Sequence, residues 1–488
     1  MSNNHKYYLI PKGVDLASLK NESDKKNIVK HMSATCTLLI HQFCYQVERQ
    51  DGSETDKEER DLFNVEISSS TLKKKVNSRY SPAIKKLTDA GIIKCNDSYL
   101  AGEYSKSYTF SNLSHFSQLS FVPNTDYKSP TYDLEEPYKS LSIDFDCDKL
   151  TIDENKVYKY ISTLNGRSKK VHHLISAQRI LMGDYYFHID KYGRFHHNLT
   201  NLSSKLRKFL TYENEKLKGI DLPNAQPLLL LILLNHIKEH KESQYLVDPS
   251  EVLKAIDENL DQVQLLKELV LDGNFYAFIY HKLQPMNIKD LPETLWGDTP
   301  KEVRKIVKLE VLKWINAKRK SNDHYRPYID EIIEHHFKPL HTLMWTIKSL
   351  ENTPDAERAK DGILDRRDSY KNAARVLQSM ESNMMIKGIC NQLKDEKPSI
   401  PLFTIHDCIY TNESNFEYLY SFSNQYIKDN YDINITFNKL PVRDAFSCVY
   451  SPKRGSGSSQ SLTNCNTNTY FSKIKTNQRL CLSHEWPI

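Results

Sequence analysis

The chain has 488 residues and a formal net charge of +5, yet only 14 glycines, where an average usage of ~7% would give roughly 34. Loops that cradle phosphates with backbone N–H groups need glycine for close approach and positive φ. Neither G-x-x-x-x-G-K-[ST] nor G-x-G-x-x-G occurs, which argues against a P-loop NTPase and a dinucleotide-binding dehydrogenase. Hydrophobic residues make up 39% and aromatics 10%. That composition supports several cores rather than disorder, in two to four domains of ~100–200 residues.

The nine cysteines are odd in number and form no C-x-x-C pair, so reduced thiols are expected rather than a disulfide framework or a zinc ribbon. The opening residues Met1 to Lys6 contain no apolar stretch, so no signal peptide is expected. The longest apolar run, Leu228 to Leu234, falls far short of the ~20 residues that span a bilayer. A cytoplasmic protein without membrane contact is the expectation.

In chain order, a helix around Ser33–Val47 precedes a charged surface loop over residues 48–61. Ser68 to Thr71 before Leu72 and Val76 reads as a helix start. Ser81-Pro82 opens a second helix, with Pro in its first turn and Gly91 as its C′ residue. Ile92-Ile93 and Tyr104–Phe110 read as two strands around Asn96-Asp97-Ser98. Between residues 67 and 110 there are eight Lys/Arg and three Asp/Glu, a local excess equal to that of the whole chain and the electrostatic footprint of a nucleic-acid contact. Helix, turn, helix and a two-stranded wing resembles the winged-helix domains of replication initiators and regulators; a generic small α+β subdomain is the alternative. The resemblance implies that the second helix, Pro82 to Ala90, enters the major groove, with Lys85 and Lys86 as contacts.

Asp144, Asp146 and Asp148 alternate, which places them on one face of a strand and predicts a solvated edge, with a metal site as the alternative. Residues 123–150 read as a connector. Tyr192-Gly193-Arg194-Phe195-His196-His197 and Leu206–Leu210 follow. A strand from Leu217 then ends at Asp221, ahead of a helix from about Pro227 that buries Leu228–Leu234. Arg304 and Lys308 stand one turn apart on one helical face. A helix over Ala373–Leu393 carries an apolar stripe (Ala373, Val376, Leu377, Met380, Met384, Ile389) expected to be core. Pro401–Thr411 reads as a hairpin with His406-Asp407 at its tip. A Ser/Asn/Thr-rich tail from about Gly455, tied down near Trp486, closes the chain.

Gly193-Arg194, Asp221, Arg304/Lys308, Leu377-Gln378-Ser379 and His406-Asp407, in that order, resemble the palm and fingers of the single-subunit, family A polymerases: bacterial DNA polymerase I and the phage and mitochondrial RNA polymerases. Those enzymes carry a T-G-R segment, a motif A strand ending in Asp, a motif B helix with R-x-x-x-K, a helix with L-Q-S and a motif C His-Asp hairpin. The resemblance spans about residues 185–450. It implies an α+β fold: a right-hand palm built on an antiparallel sheet, helical fingers, and the winged helix in front.

It also implies a nucleotidyltransferase, a DNA or RNA polymerase, that extends a nucleic-acid 3′ end with two Mg²⁺ or Mn²⁺ ions. Asp221, Asp407 and the carbonyl of Leu222 would be the ligands. Arg304 and Lys308 would grip the nucleoside triphosphate, Lys308 would protonate the leaving group, and Arg194, Gln378 and His406 would touch the minor-groove side of the primer-template. The implied division is 1–125 winged helix, 126–190 connector and reduced thumb, 191–250 and 351–452 palm, 251–350 fingers and 453–488 tail. Such a pairing suits a phage or mobile-element replication or defence protein.

The chain departs from the pattern in several places. Asn316 and Ala317 replace the Tyr-Gly that closes motif B, so the aromatic that stacks near the template base is missing or is supplied by Trp314. Cys408 follows His406-Asp407, and Gln226 replaces the Glu that excludes a ribose 2′-hydroxyl. The chain ahead of the palm is short for a full thumb plus an exonuclease, and no D-x-E motif supports one. Two alternatives stand beside this reading: a non-enzymatic DNA-binding initiator or regulator with a degenerate palm, and a primase-like or template-independent transferase. Taken singly, each motif residue also has a structural role open to it: Asp221 as a helix cap, Arg304 and Lys308 as a solvated face, and His406-Asp407 as a turn pair.

Overall fold

The computed structural model describes residues 6–11, 13–50, 65–96, 98, 105–111, 119–124, 131–164, 167–283, 300–316, 326–349 and 366–440. It mixes helices with antiparallel sheets, and its buried apolar side chains fall into two cores.

The smaller core is N-terminal. Strand β1 (Tyr7–Pro11) is followed by the helix Ile28–Gln50, β2 (Val65–Glu66), the helices Ser69–Lys75 and Ser81–Asp89, then β3 (Ile93–Asn96), β4 (Ser107–Phe110) and β5 (Leu119–Pro123). β1 pairs with β5, while β2, β4 and β3 form a three-stranded antiparallel sheet in that order. The local chemistry explains the helices. Ser68 caps the first by accepting from the Thr71 N–H, and Pro82 sits in the first turn of the second. Gly91, at φ +67°, supplies the left-handed exit. Ala83 and Leu87 are buried against this core. The strand β2 has no counterpart in the sequence reading, because two residues carry no period. Most of the expected 48–61 loop and the 455–470 tail lie outside the described residues, although the first helix runs on to Gln50.

The larger core is built on a sheet of six strands: β6 (Leu150–Ile152), β9 (Leu210–Tyr212), β10 (Glu215–Asp221), β11 (Phe403–Ile405), β12 (Cys408–Asn412) and β13 (Asn438–Leu440). Their order is β11-β12-β10-β9-β6, with β13 also pairing with β10. A separate hairpin joins β7 (Phe187–Ile189) to β8 (Phe195–His197). The helix Ala225–His240 follows β10, and Leu228–Leu234 are all buried. Around it pack the helices Ser250–Glu258, Leu260–Leu271, Lys338–Lys348 and Asn372–Ser382. Pro300–Ile315 and Arg326–His336 complete the helical cluster. The helix Asn372–Ser382 continues as a π-helical stretch, Asn383–Cys390, and its stripe from Ala373 to Ile389 is buried. The helix Arg167–Leu181 links the cores, giving Val171 and Ile175 to the smaller and Leu174, Ala177 and Ile180 to the larger.

Two expectations are corrected here. Residues 143–148 are not a strand edge. They follow the helix Tyr138–Ile143, and Asp144 turns inward to meet the Lys394 ammonium at 2.8 Å and the Leu402 N–H. Burial pushes its carboxyl up to about 6 against the pull of Lys394. Alternation failed because these residues form turns rather than a strand, and Asp144 and Phe145 are both buried. Trp314 does not stand free to stack on a base either: it is buried and donates its indole N–H to Asp330 at 2.7 Å. Among the described residues no helix is long and apolar enough to cross a membrane.

Candidate active site

Strand register alone brings the two aspartates together. β10 pairs antiparallel with β12 so that Asp221 lies opposite Cys408, and the β11–β12 turn places Asp407 immediately before it. The Leu222 N–H donates to the Asp407 carbonyl at 3.1 Å and locks the two strand ends. Donor atoms of Asp221, Asp407 and Cys408 all fall within 4.8 Å of one another. The Cys408 thiol donates to Asp221 Oδ1 at 3.2 Å, and Asn438 Nδ2 on β13 donates to Asp221 Oδ2 at 3.2 Å. His406 holds the turn at φ +54°, a left-handed conformation that costs a residue with a side chain about 1 kcal/mol or more.

The electrostatics have a direction. Burial, then the charge of Asp221, raises the Asp407 carboxyl above its ordinary range, while Lys308 and Arg194 pull it back. Burial, Asp407 and Asp221 push the Cys408 thiol up, so it remains an S–H donor. Burial, with Arg194 and His196 beside it, lowers His406 to about 4 and keeps its imidazole neutral. Two carboxylates forced together at a cost, on separate strands and with oxygen donors, fit a hard divalent cation. Asp221, Asp407 and the Leu222 carbonyl are the groups that would hold it.

The helix Pro300–Ile315 presents Arg304 and Lys308, both exposed. Arg304 donates from Nη2 to Asn224 Oδ1 at 3.0 Å. Asn224 sits at φ +49° in the loop after β10, and its Nδ2 donates to the Val270 carbonyl at 3.3 Å. Lys308 lies near enough to Asp407 to act on its charge. Gln226, in the first turn of the next helix, has a buried Oε1 without a hydrogen-bond partner.

Arg194 projects from a tight turn. Asp190 Oδ1 accepts from the N–H groups of Tyr192 and Arg194 at 2.9 and 3.0 Å. Gly193 stands at φ +83°, and its carbonyl accepts from Tyr138 Oη at 2.7 Å and from Ser382 Oγ. The Arg194 guanidinium pairs with Glu381 at 2.9 Å, leaving its Nε buried and unpartnered. His196 bonds Asp190 at 3.0 Å, and its ring lies 6.3 Å from that of His406. Gln378 is half-buried, one turn before Glu381 and Ser382.

The structure therefore groups Asp221, Leu222 and Asp407, with Lys308 and Arg194 electrostatically coupled to Asp407. It separates Lys85 and Lys86, which lie on the helix Ser81–Asp89 beside the smaller core. Lys85 is exposed. Lys86 is engaged internally with Asp24 at 2.7 Å and the Leu19 carbonyl at 3.0 Å. Sequence reading missed Glu381, Asn224, Asn438 and the S–H contact of Cys408. Arg207, inside the Leu206–Leu210 segment, has no role in that reading, yet its charge acts on Tyr410 and Cys408. No local pattern marks the role of any of them; Glu381 shows only its place one turn along the helix from Gln378.

No protein family and no curated protein matches the sequence. Among solved structures the chain is similar to the POL domain of Pol1 from M. smegmatis, in complex with DNA primer-template and dNTP. Identity is 10% and the TM-score 0.37, over 87% of this chain and 71% of that one. At that similarity the functional reading rests on the site itself.

Proposed function

We propose that this chain is a nucleic-acid polymerase, a nucleotidyltransferase that extends a 3′ end by two-metal phosphoryl transfer. The observation that carries this reading is the meeting of Asp221 and Asp407 at two paired strand ends, with Lys308 close enough to influence Asp407. Mg²⁺ or Mn²⁺ would activate the attacking hydroxyl and neutralise the leaving pyrophosphate. Asp221, Asp407 and the Leu222 carbonyl would hold the ions. Arg304 and Lys308 bind the triphosphate, and Lys308 gives its proton to the departing pyrophosphate. Arg194, Gln378 and His406 line the minor-groove side of the nascent pair, and neutral His406 serves there as a hydrogen-bonding group. Gln226 lies beside the sugar.

On this reading residues 191–250 and 351–452 are the palm and 251–350 the fingers, while residues 1–125 are a winged helix. The order helix, strand, helix, helix, strand, strand, with β2-β4-β3 pairing, supports that last assignment. Lys85 is the exposed candidate for a duplex contact, and Lys86 reaches DNA only by leaving Asp24.

The test is primer extension with dNTPs and NTPs compared side by side, with Mg²⁺ and with Mn²⁺. Incorporation that disappears in both Asp221→Ala and Asp407→Ala, with melting temperatures retained, supports the proposal. No incorporation under any condition removes it. Duplex binding that needs Lys85 but neither aspartate favours a non-enzymatic initiator.

A further inference from the structure

Away from the aspartates lies a cavity of about 490 Å³ between the last turns of two helices, Ala225–His240 and Phe416–Tyr431. Both end in a left-handed residue, Lys241 and Asp432. Helix C-termini carry partial negative charge and favour cations. Four carboxylates, Glu239, Glu242, Asp429 and Asp432, line the same space. The rings of His236 and His240 also line it, exposed, one helical turn apart and with centroids separated by 4.5 Å.

Two imidazoles at i and i+4 on one helical face are a natural chelate for a borderline metal ion, which takes nitrogen at ~2.0–2.1 Å. Carboxylates and two helix termini supply matching negative charge. The site is remote from the proposed catalytic pair. Fifteen residues of helix separate Ala225 from His240, roughly 22 Å at about 1.5 Å per residue. Imidazole ligands also distinguish it from the oxygen-only aspartate pair, which suits a harder ion.

We propose that His236 and His240 chelate a divalent transition-metal ion, Zn²⁺ or Ni²⁺ in class, at the mouth of this cavity, with water filling the remaining positions. An ion there would clamp the last turn of the Ala225–His240 helix, which carries both imidazoles. It would stabilise the palm side without entering the reaction, and it does not depend on the polymerase reading.

The probe is Ni²⁺, titrated calorimetrically into the untagged full-length chain and into three variants: His236→Gln, His240→Gln, and the double Asp221→Asn/Asp407→Asn. The expected result is a Ni²⁺ site that persists in the double aspartate variant and is weakened roughly tenfold or more in each histidine variant. Both histidines are exposed, so the metal-free melting temperatures should match the wild type, and two independent substitutions guard against a folding defect in either. Binding that is unchanged in both histidine variants, or absent from the wild type, or lost only with the aspartates, overturns the proposal.

Discussion

Replacing Asp407 with Asn should abolish nucleotide incorporation and, in metal-free buffer, make the protein more stable. The argument is electrostatic. Asp221 and Asp407 donor oxygens lie within 4.8 Å, and two unit charges at that distance repel by about 3.5 kcal/mol at an effective dielectric of about 20. Lys308 and Arg194 offset part of this, which leaves a gain of ~1–3 kcal/mol once one charge is removed. For a domain of this size that corresponds to a rise in Tm of roughly 2–6 °C. The measurement is a thermal melt at pH 8 in EDTA, repeated in Mn²⁺. A ligand at about 100 times its Kd stabilises the wild type by about 2.7 kcal/mol, whereas the variant, with one of its two carboxylates gone, should respond little. The order of the two melting curves therefore inverts or narrows when metal is added. If Asp407→Asn melts below the wild type in EDTA, or gains as much from Mn²⁺, the two carboxylates are not a repelling pair awaiting a cation.

Three further outcomes follow from the same geometry. Burial pushes the Glu381 carboxyl up to about 7, against the pull of Arg194. The folded state therefore holds that proton more tightly than the unfolded chain, and stability falls as pH rises from about 4.5 through 7. Melts from pH 5 to 8 should show the wild type losing ground to Glu381→Gln, and parallel curves would remove Glu381 as the cause. In Gly193→Ala a new Cβ lands 2.8 Å from Ser382 Oγ and 3.0 Å from Tyr138 Oη at φ +83°. This should lower stability by ~1–3 kcal/mol, read from denaturant midpoints, and should displace Arg194; a midpoint shift below the measurement error contradicts the tight packing of that turn. Lys308→Ala should reduce kcat by roughly 10²-fold or more if its ammonium protonates the leaving group, whereas a change confined to KM would limit it to binding.

How much of this was legible in the sequence depends on the range of the interaction that fixes each residue. The strand ending in Asp221 and the hairpin carrying Asp407 were readable, because a strand followed by an apolar helix and a short turn between apolar runs are local patterns. Their meeting at the same sheet edge then follows from antiparallel pairing. Glu381 and Arg194 are separated by 187 positions, and nothing local marks the glutamate as an ion-pair partner; only the packing of its helix on the Asp190–Arg194 turn gives it that role. Asp144 and Trp314 failed for the same reason in reverse. Alternating acids look like a solvated edge, and Trp314 like an aromatic free to stack, until Lys394 and Asp330 arrive from distant segments and make burial affordable. Lys86 is likewise held by a distant partner, Asp24. The glycine shortage fits the same division. A site assembled from side chains on strand ends and a helix face needs no backbone cradle, so its chemistry sits where local patterns show it. Its tuning comes from Glu381, Arg207 and Asn438, whose contributions exist only once the chain has folded.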